Sequence, residues 1–144
     1  MNEEVNMEMV NVVKIILVSH NQLAAGMKHA VEMIAGTQPQ LSAYGLMPGQ
    51  KPDDVVAQIA KTLPAEEPVL ILADLVGGSM CNACMALLVH ANVQLIGGMN
   101  LALVLQLVLA QQFDQDSLQH IMQQAQQGIQ EVKLQKVTED DPFF

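Results

Sequence analysis

Two short stretches place reactive side chains where a strand gives way to a helix. The first is Ser19-His20-Asn21, which follows the apolar run VNVVKIILVS from position 10. The second is Asp74, closing EPVLILAD at 67–74, with Gly77-Gly78-Ser79 just after it. An imidazole at such a junction can cap a helix, bind a metal or act as a nucleophile. A carboxylate that accepts a hydrogen bond from one ring nitrogen fixes the tautomer and leaves the other nitrogen's lone pair free to attack. A glycine loop running into a helix offers backbone N–H groups and a hydroxyl to an anion, with the helix dipole behind them. Together these parts amount to phosphoryl transfer through a phosphohistidine, a reaction governed by positioning and charge stabilisation. Each part alone has a plainer use. A histidine at a helix start is commonly a surface or capping residue, an aspartate at a strand end an N-cap or Asx-turn residue, and GGS is common in strand-to-helix turns. Only the conjunction, on two adjacent strands, favours chemistry.

The elements that would position these residues alternate along the chain. Strands are expected at 10–19, 41–47, 67–74 and 93–99, each followed by a helical pattern. Leu23, Met27, Ala30 and Ile34 fall at helical spacing, and Gly36 stands where a helix closes. Pro52, Asp53 and Asp54 are helix-start residues, Val56, Ile59 and Leu63 give the second helix its stripe, and Pro64 stops it. MCNACMALLVH (80–90) reads as a third helix and NLALVLQLVLAQ (100–111) as a fourth that is apolar almost all round. Such a helix is buried on more than one side, and a subunit interface is one way to do that. Leu118, Ile121, Met122, Ala125, Ile129 and Val132 stripe a last helix, and VKLQKV (132–137) suits a short edge strand with outward lysines. Strand-helix alternation means a three-layer, doubly wound α/β fold. Its mostly parallel sheet takes the order 2-1-3-4 if His20 and Asp74 are to face each other across the crevice at the strand ends. One domain at 12–137 is expected, between a flexible acidic N-terminus at 1–11 and an acidic tail at 138–144.

Composition narrows the function classes. The 144 residues are half hydrophobic, with ten methionines, no tryptophan and 3% aromatics, so the core is aliphatic and base-stacking platforms are lacking. A net charge of -9 repels phosphate backbones and anionic membranes, which disfavours nucleic acid as a partner. The first apolar run follows acidic residues, unlike a secretory signal, and LALVLQLVLA (101–110) is about half the ~20 residues a spanning helix needs. Two cysteines and no export signal point to a cytoplasmic protein with reduced thiols.

Cys81-Asn82-Ala83-Cys84 is a C-x-x-C after a strand, the position of thiol-disulfide motifs. The preceding residue is Met80 rather than an aromatic, and Cys81, Cys84 and Leu88 share one helical stripe, so packing cysteines are the stronger reading. Two cysteines without a second pair or a well-spaced histidine cannot close a zinc site. His29, His90 and His120 sit in ordinary polar settings and are assigned no chemistry.

The segments KIILVSHNQLAAGMKHAVEMIAG, ADLVGGSMCNA and LIGGMNLALVLQLVLA resemble the IIA components of the mannose/fructose/sorbose class of the bacterial sugar phosphotransferase system. The resemblance runs from about Val12 to Lys136. It implies a cytoplasmic phosphocarrier in which His20 receives a phosphoryl group from the phosphocarrier protein HPr and passes it to the IIB component. Asp74 would hydrogen-bond Nδ1 and leave Nε2 as the phosphorylated atom. Gly77, Gly78 and Ser79 would line the phosphoryl site, with Asn21, Leu75 and Asn100 at its edge. No metal, organic cofactor or direct sugar binding is implied, since sugar passes through the membrane IIC and IID subunits. The family forms homodimers whose final strand joins the partner's sheet, which would suit KLQKV and the apolar helix. Two positions depart from the family pattern: Asn21 stands where glycine is usual and Met80 where proline is frequent. Asparagine tolerates left-handed backbone better than other non-glycine residues. Asn21 is the sole support for a competing reading, a regulatory homologue that binds partners without transferring phosphate.

Overall fold

The computed structural model describes residues 12–135. Strand β1 (Lys14–His20) buries five consecutive residues, Ile15 to Ser19, and β3 (Val69–Ala73) is buried throughout. Strands of that kind need cover on both faces, and the chain supplies it. On one face Ile15, Leu17, Leu70 and Leu72 pack with α1 (Leu23–Ala35), α4 (Leu101–Ala110) and α5 (Gln115–Gln127). On the other, Ile16, Val18, Ile71 and Ala73 pack with α2 (Pro52–Ala60), α3 (Ser79–Cys84) and a 3-10 segment at Met85–Val89. Odd and even strand residues thus build separate cores on the two sides of one sheet.

With β2 (Leu41–Leu46) and β4 (Val93–Gly97) the sheet has the order β2-β1-β3-β4, and every pairing is parallel. The chain leaves β1 toward one edge and returns to pair β3 on the other side. The carboxyl ends of β1 and β3 therefore flank the point where the strand order reverses, where open α/β sheets hold their sites.

One side of the all-round apolar helix finds its cover within the chain. Leu103, Val104, Leu107 and Val108 of α4 are buried between the sheet, α1 and α5, while Leu101 and Leu109 remain partly in solvent. Three expectations change. The third helix is α-helical only to Cys84 and then tightens into the 3-10 segment. The last helix ends at Gln127, where Gly128 follows, and leaves Ile129 and Val132 exposed. Within the single chain no edge strand forms over 132–135; 136 and 137 lie outside the described residues, as do the acidic ends at 1–11 and 138–144. Among the described residues no helix is long and apolar enough to cross a membrane.

Candidate functional site

The β1–β3 ladder brings the two reactive strand ends together. Val18 pairs with Ala73, and the Asp74 N–H donates to the Val18 carbonyl at 3.1 Å. One residue further on, the Asp74 side chain takes over from the backbone. Its Oδ2 accepts the His20 N–H at 2.9 Å and also lies 2.8 Å from His20 Nδ1. One carboxylate oxygen thus holds both the main chain and the ring of the histidine. Asp74 Oδ1 is buried and has no hydrogen-bond partner among the described residues.

The carboxylate is sheltered and the imidazole is not: the Asp74 side chain is 8% exposed and that of His20 50%. Desolvation pushes the Asp74 carboxyl up, but the backbone and ring hydrogen bonds from His20, with the ring's charge, outweigh it and hold the group below the usual aspartate range. An ionised Asp74 only accepts, so Nδ1 is the nitrogen that keeps its proton, and in the neutral ring the lone pair lies on Nε2. Ser79 Oγ lies 3.3 Å from that nitrogen.

Asp74 leads into a tight turn. The Gly78 N–H donates to the Leu75 carbonyl at 3.1 Å, with Gly77 at φ +80°, a conformation glycine adopts without strain. This corrects part of the expected anion cradle: the Gly78 N–H is spent on closing the turn. Its lack of a side chain is what matters, because a Cβ there would sit 3.3 Å from His20 Cε1 and 3.2 Å from the Leu75 oxygen. Leu75 and Val76 are exposed at the rim. Val76 drew no notice in the sequence, yet it closes over β4, where a Cβ on Gly97 would meet Val76 Cγ2 at 2.6 Å.

Asn21 adopts φ +50°, the left-handed backbone expected of it, and its N–H donates to the Leu46 carbonyl at 2.8 Å. Gly45 permits this, since a Cβ there would collide with the Asn21 carbonyl oxygen. Met80 is fully buried in the core beneath the loop, so packing anchors the start of α3. Asn100 is spent elsewhere. Its Oδ1 accepts the Leu103 N–H at 2.8 Å as the cap of α4, and its Nδ2 donates to the Ala125 carbonyl of α5 at 3.2 Å. It makes no hydrogen bond to His20, Asp74 or the glycine turn.

The other candidates stay apart from this site. Cys81 and Cys84 are free and buried, and desolvation, with the neighbouring Cys81, pushes the Cys84 thiol up to about 11. A buried thiol held so far above neutrality is a poor nucleophile, so Cys84 does not act as an attacking group at neutral pH. His120 meets Gln124 on the exposed side of α5. His29 and His90 are exposed. Among the described residues no three His, Cys, Asp or Glu side chains are grouped as metal ligands.

Comparison with known proteins gives this geometry a context. A family model described as PTS system fructose IIA component matches residues 14–136. The mannose/sorbose specific IIA subunit of the phosphotransferase system from Enterococcus faecalis superposes with a TM-score of 0.79 at 26% identity, covering 88% of this chain and 99% of its own. The phosphotransferase system component EIIA from Streptococcus agalactiae gives 0.75 at 26% identity, with 83% and 96% covered. A sigma-54 interaction domain protein from Enterococcus faecalis gives 0.62 at 16% identity, covering 82% and 93%, and at that distance the likeness concerns the fold alone. No curated protein matches this chain by sequence.

Proposed function

We propose that this chain, which belongs to the EIIA-man family of phosphotransferase-system IIA components, carries a phosphoryl group on His20 Nε2. The observation that carries the reading is the double hold of Asp74 Oδ2 on the His20 N–H and Nδ1, which assigns the lone pair of the neutral ring to Nε2 at a half-exposed position. The donor is a phosphohistidine on HPr. The Nε2 lone pair attacks phosphorus in line, a new N–P bond forms, and the donor's N–P bond breaks with its electron pair returning to the donor imidazole. The Nδ1 proton stays between His20 and Asp74, whose charge balances the phosphorylated ring. The Ser79 hydroxyl, at hydrogen-bond distance from Nε2, turns to a phosphoryl oxygen once the group arrives. In the second half-reaction the IIB component takes the phosphoryl group by the same displacement. No proton changes hands in either step, so positioning and charge supply the catalysis.

Transfer between proteins requires an acceptor that a partner's phosphoryl group can reach. His20 meets that need, with Leu75 and Val76 exposed beside it. In this reading the chain works in the cytoplasm and sugar recognition falls to the IIC and IID subunits. A homodimer by exchange of the C-terminal strand belongs to the same reading. It is supported by β4 lying at the sheet edge and by the exposure of Ile129, Val132 and Leu134 beyond α5. The test is reconstitution with phosphoenolpyruvate, enzyme I and HPr, followed by addition of IIB. The chain should gain one acid-labile phosphoryl group and lose it to IIB. Failure to load from a donor that phosphorylates another IIA protein would favour the partner-binding homologue.

A further inference from the structure

Ser19 is the one fully buried polar side chain among the described residues, and its surroundings give it a task. Helix α1 begins at Leu23, yet the residue in its N-cap position, Gln22, makes no side-chain capping bond. The Ser19 hydroxyl does that work from the strand: its Oγ accepts the Ala24 N–H at 2.7 Å. The proton of the same hydroxyl is directed at the His20 carbonyl, 3.0 Å away, with the Asn21 carbonyl at 3.4 Å. A buried hydroxyl that both accepts and donates in this way joins the start of the helix to the backbone of the reactive residue.

The consequence is a closed set of restraints on His20. Its N–H goes to Asp74, its carbonyl receives the Ser19 hydroxyl, and the next N–H, on Asn21, goes to Leu46. The turn at Asn21 has φ +50°, a conformation that a non-glycine residue keeps only when its surroundings hold it. Without the Ser19 hydroxyl, the His20 carbonyl and the first turn of α1 lose their shared partner.

We infer that Ser19 is a positioning residue for phosphoryl transfer, whose buried hydroxyl fixes the His20–Asn21 turn and so aims Nε2. This inference rests on the phosphocarrier reading. It concerns the rate at which a correctly placed imidazole reacts. Reactions of this kind are sensitive to small misplacements, and a shift near 1 Å can cost about a hundredfold.

The experiment compares the full chain with Ser19→Ala, Ser19→Thr and Ile59→Val, using phospho-HPr as donor. Ile59 is fully buried in the core of the opposite face, so its variant is a stability control remote from His20. Thermal melts accompany rapid-quench rates, and 15N spectra of the His20 imidazole report its tautomer without any donor. The expected result is a Ser19→Ala protein that folds and still reaches one phosphoryl group per chain. Its kcat should fall about tenfold to a hundredfold at a KM within twofold of the original, with loss of the pure Nδ1–H tautomer. Ser19→Thr should restore much of the rate, and Ile59→Val should transfer at the original rate despite a lower Tm. A Ser19→Ala rate within twofold of the original, with the tautomer intact, would overturn the inference and leave Ser19 as a helix cap only. Failure of the unmodified chain to accept phosphate would overturn the phosphocarrier reading, and this inference with it.

Discussion

Replacing Asp74 by asparagine removes one charge and keeps the shape, so the size of its effect can be worked from the structure. Oδ2 holds the His20 N–H at 2.9 Å and Nδ1 at 2.8 Å. A hydrogen bond to an ionised partner contributes ~1.5–3 kcal/mol against ~1 for a neutral one. Because the His20 ring is half in solvent, the lower part of that range applies. A loss of roughly 1–2 kcal/mol in stabilising the phosphorylated ring slows transfer by roughly fivefold to thirtyfold. That figure assumes that the amide oxygen faces the ring. If the amide N–H2 faces it instead, the tautomer inverts, Nε2 carries the proton, and the loss exceeds a thousandfold, as in other imidazoles held in the wrong tautomer, where it reaches about 10⁴. Rapid-quench kinetics with phospho-HPr would measure the rate, and 15N spectra of the ring would show which arrangement holds. A rate within twofold of the original, with the tautomer unchanged, would refute the assigned role. The same variant has a pH signature. The Asp74 carboxyl sits below its ordinary 3.8 in the folded protein, so its stabilising contribution is complete above the unfolded value and fades as pH falls through the folded one. The stability gap between the original chain and Asp74→Asn should therefore hold steady from pH 7 toward 4 and close below it.

Gly78→Ala should slow transfer severalfold while the protein remains folded, because the new Cβ presses on His20 Cε1 and the Leu75 oxygen; rates and a thermal melt would show it. The Cys84 thiol, buried and pushed up to about 11, should resist iodoacetamide in the folded protein at neutral pH and react only after denaturation, as intact mass would report. Ending the chain after Ile129 removes the exposed Val132 and Leu134; sedimentation should give a dimer for the full chain and a monomer for the shortened one.

The sequence carried the sheet and the two side chains, His20 and Asp74, that meet at its switch point. Unbroken apolar runs at 15–18 and 69–73 admit little besides strands covered on both faces, and they lead to the residues that meet across the crevice. Asn100 and the Gly78 N–H were harder to read. Whether an amide side chain edges a crevice or ties two helices depends on the docking of α4 against α5, and local spacing does not encode that. Ser19 was visible as a lone hydroxyl in the run KIILVSH, but the N–H it caps, that of Ala24, lies five residues later, beyond the reach of a local capping pattern. The last helix was read too long because Ile129 and Val132 continue the apolar stripe, although Gly128 stands between them and the helix.

The central claim is that His20 Nε2 carries phosphate, and loading from phospho-HPr followed by intact mass and 31P–15N correlation of the ring tests it most directly. The account predicts one acid-labile phosphoryl group, bonded to Nε2, and none on His20→Ala with its fold intact. No phosphoryl group from a verified donor, or one attached to another residue, would contradict it.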